Sequence, residues 1–145
     1  MDVCDVPGSW VFGGFHRSVN ELLETQTKKP MFCEAFSEFN YVVVAKGRLE
    51  PFSTTHSLLG IIPVKQYNKE HLFSLVATRK HAEAQDLLHC MISHVISVAR
   101  QYGAARIYYT SDSPDVSLEA TLRNCGFVYE TSAGQLKTVE MVLSL

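Results

Sequence analysis

Arg79, Lys80 and His81 form a basic cluster where an apolar run, "LFSLVA" from Leu72 to Ala77, gives way to a helical pattern. A helix start already carries roughly half a positive charge on N–H groups that lack partners, so cations there cost a few tenths of a kcal/mol or more. An anion seated among those amides and side chains turns the repulsion into attraction, which is the chemistry of a phosphate site. Solvated side chains splaying away from the helix axis account for the same residues at small cost. On the residues alone both readings stay open.

Other reactive residues are sparser. Cys4, Cys33, Cys90 and Cys125 contain no C-x-x-C pair, so they read as buried free thiols of a reducing compartment. His81, His89 and His94 lack the i, i+4 spacing that aims two imidazoles at one ion, and no metal site is expected. The net charge is −2 and the cations are scattered, which argues against a nucleic-acid partner. No apolar run approaches the ~20 residues that span a bilayer, and the opening "MDVCDVPGSW" is acidic where an export signal is basic. A cytoplasmic protein is expected.

The elements that position these residues follow from periodicity. With 145 residues, 46% of them hydrophobic, the chain suits one core and one domain, 1–145. Ser18 to Gln26 and Met31 to Phe39 are helical candidates; Val19, Leu22 and Leu23 share one face in the first, and Phe32, Ala35, Phe36 and Phe39 in the second. "NYVVVAKGRLE" reads as a strand entering a turn at Lys46-Gly47. Ser57 to Val64 reads as another, with Pro63 marking its end or a sheet edge. After the strand Leu72 to Ala77, Leu87, Leu88, Met91, Ile92, Val95, Ile96 and Ala99 define one face of about six helical turns that Gly103 ends. Arg106 to Thr110 is a strand, Ser113-Pro114 starts a short helix and Gly126 stops it. Two strands joined at Ser132-Ala133-Gly134 finish the chain, the last alternating Val139, Met141, Leu143 and Leu145 with more polar neighbours. A strand, a crossover helix and a strand from Leu72 to Thr110 make a right-handed parallel unit. The expected fold is α/β (α+β), a mixed sheet flanked by helices.

From about Asn40 to Leu145 the chain resembles the GCN5-related N-acetyltransferases. In that family a (Q/R)-x-x-G-x-(G/A) turn opens a long helix, and "Arg79-Lys80-His81-Ala82-Glu83-Ala84" is similar to it, with Ala82 in place of the central glycine. "SLEATLRNCGFVYE" resembles the family's short helix ending in Gly-Phe, and "VEMVLSL" its final strand. The resemblance implies acetyl-CoA as cofactor, its pyrophosphate held by Arg79, Lys80, His81, Ala82, Glu83 and Ala84. The coenzyme would straddle the strands that end near Ala77 and begin at Arg106, with Asp112 and Ser113 touching its arm. An amine would attack the thioester directly, with Glu70 or His71 as base and Tyr108 or Tyr109 as a source of protons.

Three positions depart from the pattern. Ala82 adds a methyl group where glycine lets a backbone approach a pyrophosphate. Glu83 sets a carboxylate beside a polyanion, at on the order of 1–3 kcal/mol for ~6 Å and an effective dielectric constant of 20–50. Leu122, one turn before Gly126-Phe127, stands where the family often has a proton-donating tyrosine. Glu70, His71, Tyr108, Tyr109, Asp112 and Ser113 also have ordinary structural readings, as strand ends, packing, an Asx turn and a cap. The second functional reading is therefore a catalytically inactive protein of the same fold, a binding or structural part such as a tailed-phage virion component. Its partner would be another protein, or further copies of the chain, in place of an amine substrate.

Overall fold

The computed structural model describes residues 2–8, 38–47, 57–78, 84–112, 115–130 and 139–145. Eight strands and two helices follow in order within these residues. They are β1 (Asp2–Pro7), β2 (Tyr41–Gly47), β3 (Ser57–Tyr67), β4 (Glu70–Phe73), β5 (Ala77–Thr78), α1 (Ala84–Gln101), β6 (Arg106–Ser111), α2 (Val116–Asn124), β7 (Val128–Tyr129) and β8 (Val139–Ser144). The strands form one mixed sheet in the order β1-β2-β3-β4-β6-β8-β7, with β5 paired to β3. Every pairing is antiparallel except β4 with β6, which α1 connects as the expected crossover.

β2 is covered on both faces, which is why "YVVVA" shows no alternation. Tyr41, Val43 and Ala45 join the cluster under the helices, while Val42 and Val44 join Leu58, Ile61 and Ala77 on the other side. α1 inserts Leu87, Leu88, Met91, Ile92, Val95 and Ala99 into the first cluster, as its spacing predicts, and Val98 besides. Ile96 is only partly buried. Each of these side chains except Ala99 contributes roughly 1.5–3 kcal/mol by leaving water. The helix has 18 residues, about five turns rather than six.

Both helices stop by the same device. Gly103 and Gly126 take positive φ values of 71° and 104°. The N–H groups of Gly103 and Ala104 donate to the carbonyls of Arg100 and Ala99, and those of Gly126 and Phe127 to Arg123 and Leu122. These are the paired bonds of a left-handed helix end that only glycine adopts without strain.

Several expectations need correction. β1 has no counterpart in the sequence reading, because "DVCDVP" is short and its two Asp residues interrupt any apolar run; it is an edge strand paired only with β2. Lys46-Gly47 is not a turn: both residues remain in β2, beyond a register shift after Ala45. β3 runs through Pro63 to Tyr67 in the interior of the sheet. The short helix is capped by Asp115, which accepts from the Leu118 N–H at 3.1 Å, and not by Ser113-Pro114. Cys90 is exposed, while Cys4 and Cys125 are half-buried free thiols. The helical candidates at 18–26 and 31–39, apart from the last two residues of the second, lie outside the described residues, as do Cys33 and the turn at 132–134.

Candidate active site

β4 and β6 run parallel for four residue pairs, from Glu70 opposite Arg106 to Phe73 opposite Tyr109, and then part. Beyond that point Ala77 and Thr78 pair with Ile61 and Gly60 of β3, whereas Thr110 and Ser111 pair with Glu140 and Val139 of β8. Between its pairs Lys65–Leu72 and Ile61–Ala77, β3 advances four residues while the facing chain advances five. The surplus residue is a bulge at Ser74 to Val76, a segment in no ladder. Pro63 lies opposite this interruption, which explains how a residue with no N–H sits inside the sheet. The result is a split at the carboxyl ends of two parallel strands, the usual place for ligands in such sheets.

The paired end is sealed. His71 is completely buried, its Nδ1 lies 2.7 Å from the Tyr41 hydroxyl, and Tyr102 from the end of α1 lies over both rings. Burial pushes the His71 pKa below its usual value. Burial, then the charge of Asp5, pushes Tyr41 far above the ordinary phenol range. His71 Nε2 is buried without a hydrogen-bond partner. Glu70 is half-buried on the opposite face, across from Arg106. Tyr108 leans toward this end too, since its hydroxyl accepts from the Arg106 guanidinium at 3.2 Å. That bond, with the charges of Tyr108, Glu70 and Glu130, holds the guanidinium pKa up.

The split end holds a different set. Ala77, fully buried, lies in β5, Ala84 is the first residue of α1, and the exposed Asp112 follows β6. Arg79, Lys80, His81, Ala82, Glu83 and Ser113 lie outside the described residues; the first five connect β5 to α1. Tyr109 is the last β6 residue paired with β4, 2% exposed, and its ring lies 5.3 Å from that of Phe73. Its hydroxyl is hydrogen-bonded to Ser111, two residues further along the same face. Burial raises the Tyr109 pKa, the Ser111 bond opposes that rise, and the charges of Asp115 and Glu119 add to it. Leu122 is completely buried among the core residues of α2.

The structure thus brings Ala77, Ala84, Tyr109 and Asp112 to one end of the parallel pair, and Glu70, His71 and Tyr108 to the other. Sequence reasoning missed the bulge and Ser111. Pro63 within an apolar strand was the available sign of the first; the i, i+2 relation to Tyr109 was that of the second. Among the described residues no group of three or more His, Cys, Asp or Glu side chains is placed to hold a metal ion, and no helix is long and apolar enough to cross a membrane.

A mixed sheet with one parallel pair that opens at its carboxyl ends, followed by a long crossover helix, is the fold of the GCN5-related N-acetyltransferases. The chain is similar to the NatC complex solved with a Gag peptide and CoA, with a TM-score of 0.74 and 12% identity over all of this chain and 99% of that one. It is also similar to the ribosomal-protein-S18-alanine N-acetyltransferase of Escherichia coli, with a TM-score of 0.72, 11% identity and coverage of 99% and 92%. A protein of the GNAT family from Desulfovibrio desulfuricans gives 0.73 and 12%, with 99% of both chains covered. At these identities the likeness is one of fold. No protein-family model and no curated protein sequence matches the chain.

Proposed function

We propose that the protein is an acyl-coenzyme-A-dependent N-acyltransferase that transfers an acetyl group to an amine. The observation that carries this reading is the split between β5 and β6, with a bulge beside it and the start of α1 at its mouth. The two strands share no ladder beyond Phe73 and Tyr109, and Ser74 to Val76 supply main-chain groups that no ladder consumes. Residues Arg79 to Ala84, with Asp112 and Ser113, would hold the phosphate-bearing part of acetyl-CoA, which supplies an activated acyl group when bound. Glu70 and His71 differ as bases. His71 is sealed under Tyr41 and Tyr102, whereas Glu70 is half-buried, which leaves the carboxylate the more accessible of the two for taking a proton from an ammonium group, through ordered water from its end of β4.

One observation favours the inactive alternative, a binding or structural part built on this fold. Leu122 fills the site of the family's helix-borne acid with a fully buried apolar side chain. Thermal unfolding with acetyl-CoA separates the two readings. A ligand held only by the folded state at a hundredfold excess over Kd stabilises by about 2.7 kcal/mol, raising Tm by roughly 5–10 °C. Arg79→Glu is expected to remove that rise. A Tm that does not move at millimolar acetyl-CoA would leave the binding part as the better description.

A further inference from the structure

We infer that Cys125, with His89 as its proton acceptor, is a site of thiol–disulfide exchange that takes the disulfide of a small carboxylate-bearing thiol. The site lies on the helix side of the sheet and stands independently of the acyltransferase reading. α1 carries His89, Ser93, Ser97 and Arg100 on one stripe, at i, i+4, i+8 and i+11. Cys125 at the end of α2 and Leu143 of β8 lie against that stripe, and together these residues line an open groove of about 500 Å³. Small-molecule sites typically span ~300–1,000 Å³. The short side chains of Ser93 and Ser97 leave this space where larger ones would close it.

The thiol is held still beside a base. Cys125 ends α2 in a helical conformation, and its N–H donates to the carbonyls of Thr121 and Leu122. Its Sγ lies 3.6 Å from His89 Nδ1, so the thiol donates to the ring when the imidazole carries its own proton on Nε2. Burial pushes the thiol pKa above its usual value, and the carbonyl end of α2 works in the same direction. The sulfur therefore becomes a nucleophile only as a base takes its proton. His89 is exposed and can carry that proton in contact with water. Arg100 supplies the selection: its guanidinium is exposed, makes no ion pair among the described residues, and offers a two-pronged partner to a carboxylate. Cys90, by contrast, is exposed with no hydrogen-bond partner among the described residues. In the step itself the Cys125 proton passes to Nδ1 and the sulfur attacks one sulfur of the disulfide. The new S–S bond forms as the old one breaks with its electron pair on the departing thiolate, which takes the proton from the imidazolium. Cys125 is oxidised, half of the disulfide is reduced, and no other oxidant is consumed.

The test is a labelling race on the folded chain, with glutathione disulfide as the anionic probe and cystamine as the cationic one, read by peptide mass mapping over every cysteine. Glutathione is expected on Cys125 first, about tenfold faster than on Cys90 and about tenfold faster than cystamine reaches the same thiol. His89→Ala is expected to slow labelling of Cys125 by at least about tenfold, and Arg100→Glu to reverse the preference in favour of cystamine. Unfolding in guanidinium should level the cysteines. Faster or equal labelling of another cysteine in the folded parent, equal rates for the two probes, or a His89→Ala variant that labels like the parent would overturn the assignment. Both substitutions fall at exposed positions, and the race within the parent protein decides even without them.

Discussion

The two ends of the β4–β6 pair are built from the same two strands and behave as different materials. At one end four main-chain pairs, a buried histidine and two tyrosines close the sheet. At the other the strands take different partners and a bulge keeps them apart. Polar groups follow the same division. Tyr41 and His71 satisfy one another beneath a ring, leaving one nitrogen unmet, while Tyr109, itself buried, bonds to Ser111 on its own strand. A parallel pair need not be weakened everywhere to admit a ligand, because the sealed half supplies the stiffness that the parted half gives up.

Substitutions can break that contrast. The largest effect is expected at Phe73, where the two ends meet: Phe73→Ala removes a buried ring in contact with Tyr109 and Phe127 and should cost about 3–5 kcal/mol in denaturant unfolding. A smaller loss would mean that the core at the junction collapses around the missing ring. Gly60→Ala comes next. A Cβ there would lie 2.8 Å from Met91 Sδ and 3.1 Å from the Ala77 carbonyl, pressing on β5 itself. We expect about 1–3 kcal/mol of destabilisation and a reduced Tm response to acetyl-CoA, whereas a purely structural glycine would change stability alone.

The smallest effect concerns pH and the sealed end. Burial depresses the folded-state pKa of His71, so below about 6.5 the unfolded chain binds a proton that the folded one refuses. Stability from this site is complete above that pH and falls as pH drops toward the folded pKa, by at most about 1.4 kcal/mol per pH unit. His71→Leu should flatten the decline between pH 6.5 and 5. An unchanged slope would assign acid sensitivity to other groups.

Much of the sheet and both helices were legible because their signals are local. The α1 stripe from Leu87 to Ala99, the glycines at 103 and 126 and the β6 run at Arg106 each carry their own periodicity or turn chemistry. The bulge was not legible, since it exists only as a disagreement between two registers of β3, which no single segment encodes. Pro63 shows the same limit: propensity places it at an edge, and only the partner strand's interruption lets it stand inside. β1 escaped because its six residues, broken by Asp2 and Asp5, show neither strict alternation nor a continuous apolar run. At the site, residue types identified Glu70, His71, Tyr108 and Tyr109 as candidates, but their burial and their place along the strand pair depend on partners distant in sequence, such as Tyr41 and Tyr102 for His71 and Phe73 for Tyr109.

Both helices begin where β5 and β6 diverge and finish with the same glycine turn, so their peptide dipoles add instead of cancelling. Each start carries roughly half a unit of positive charge from main chain, which Asp115 and Glu119 already meet at α2 and which Asp86 faces in the first turn of α1. An anion reaching either start therefore competes with a carboxylate that the chain itself supplies.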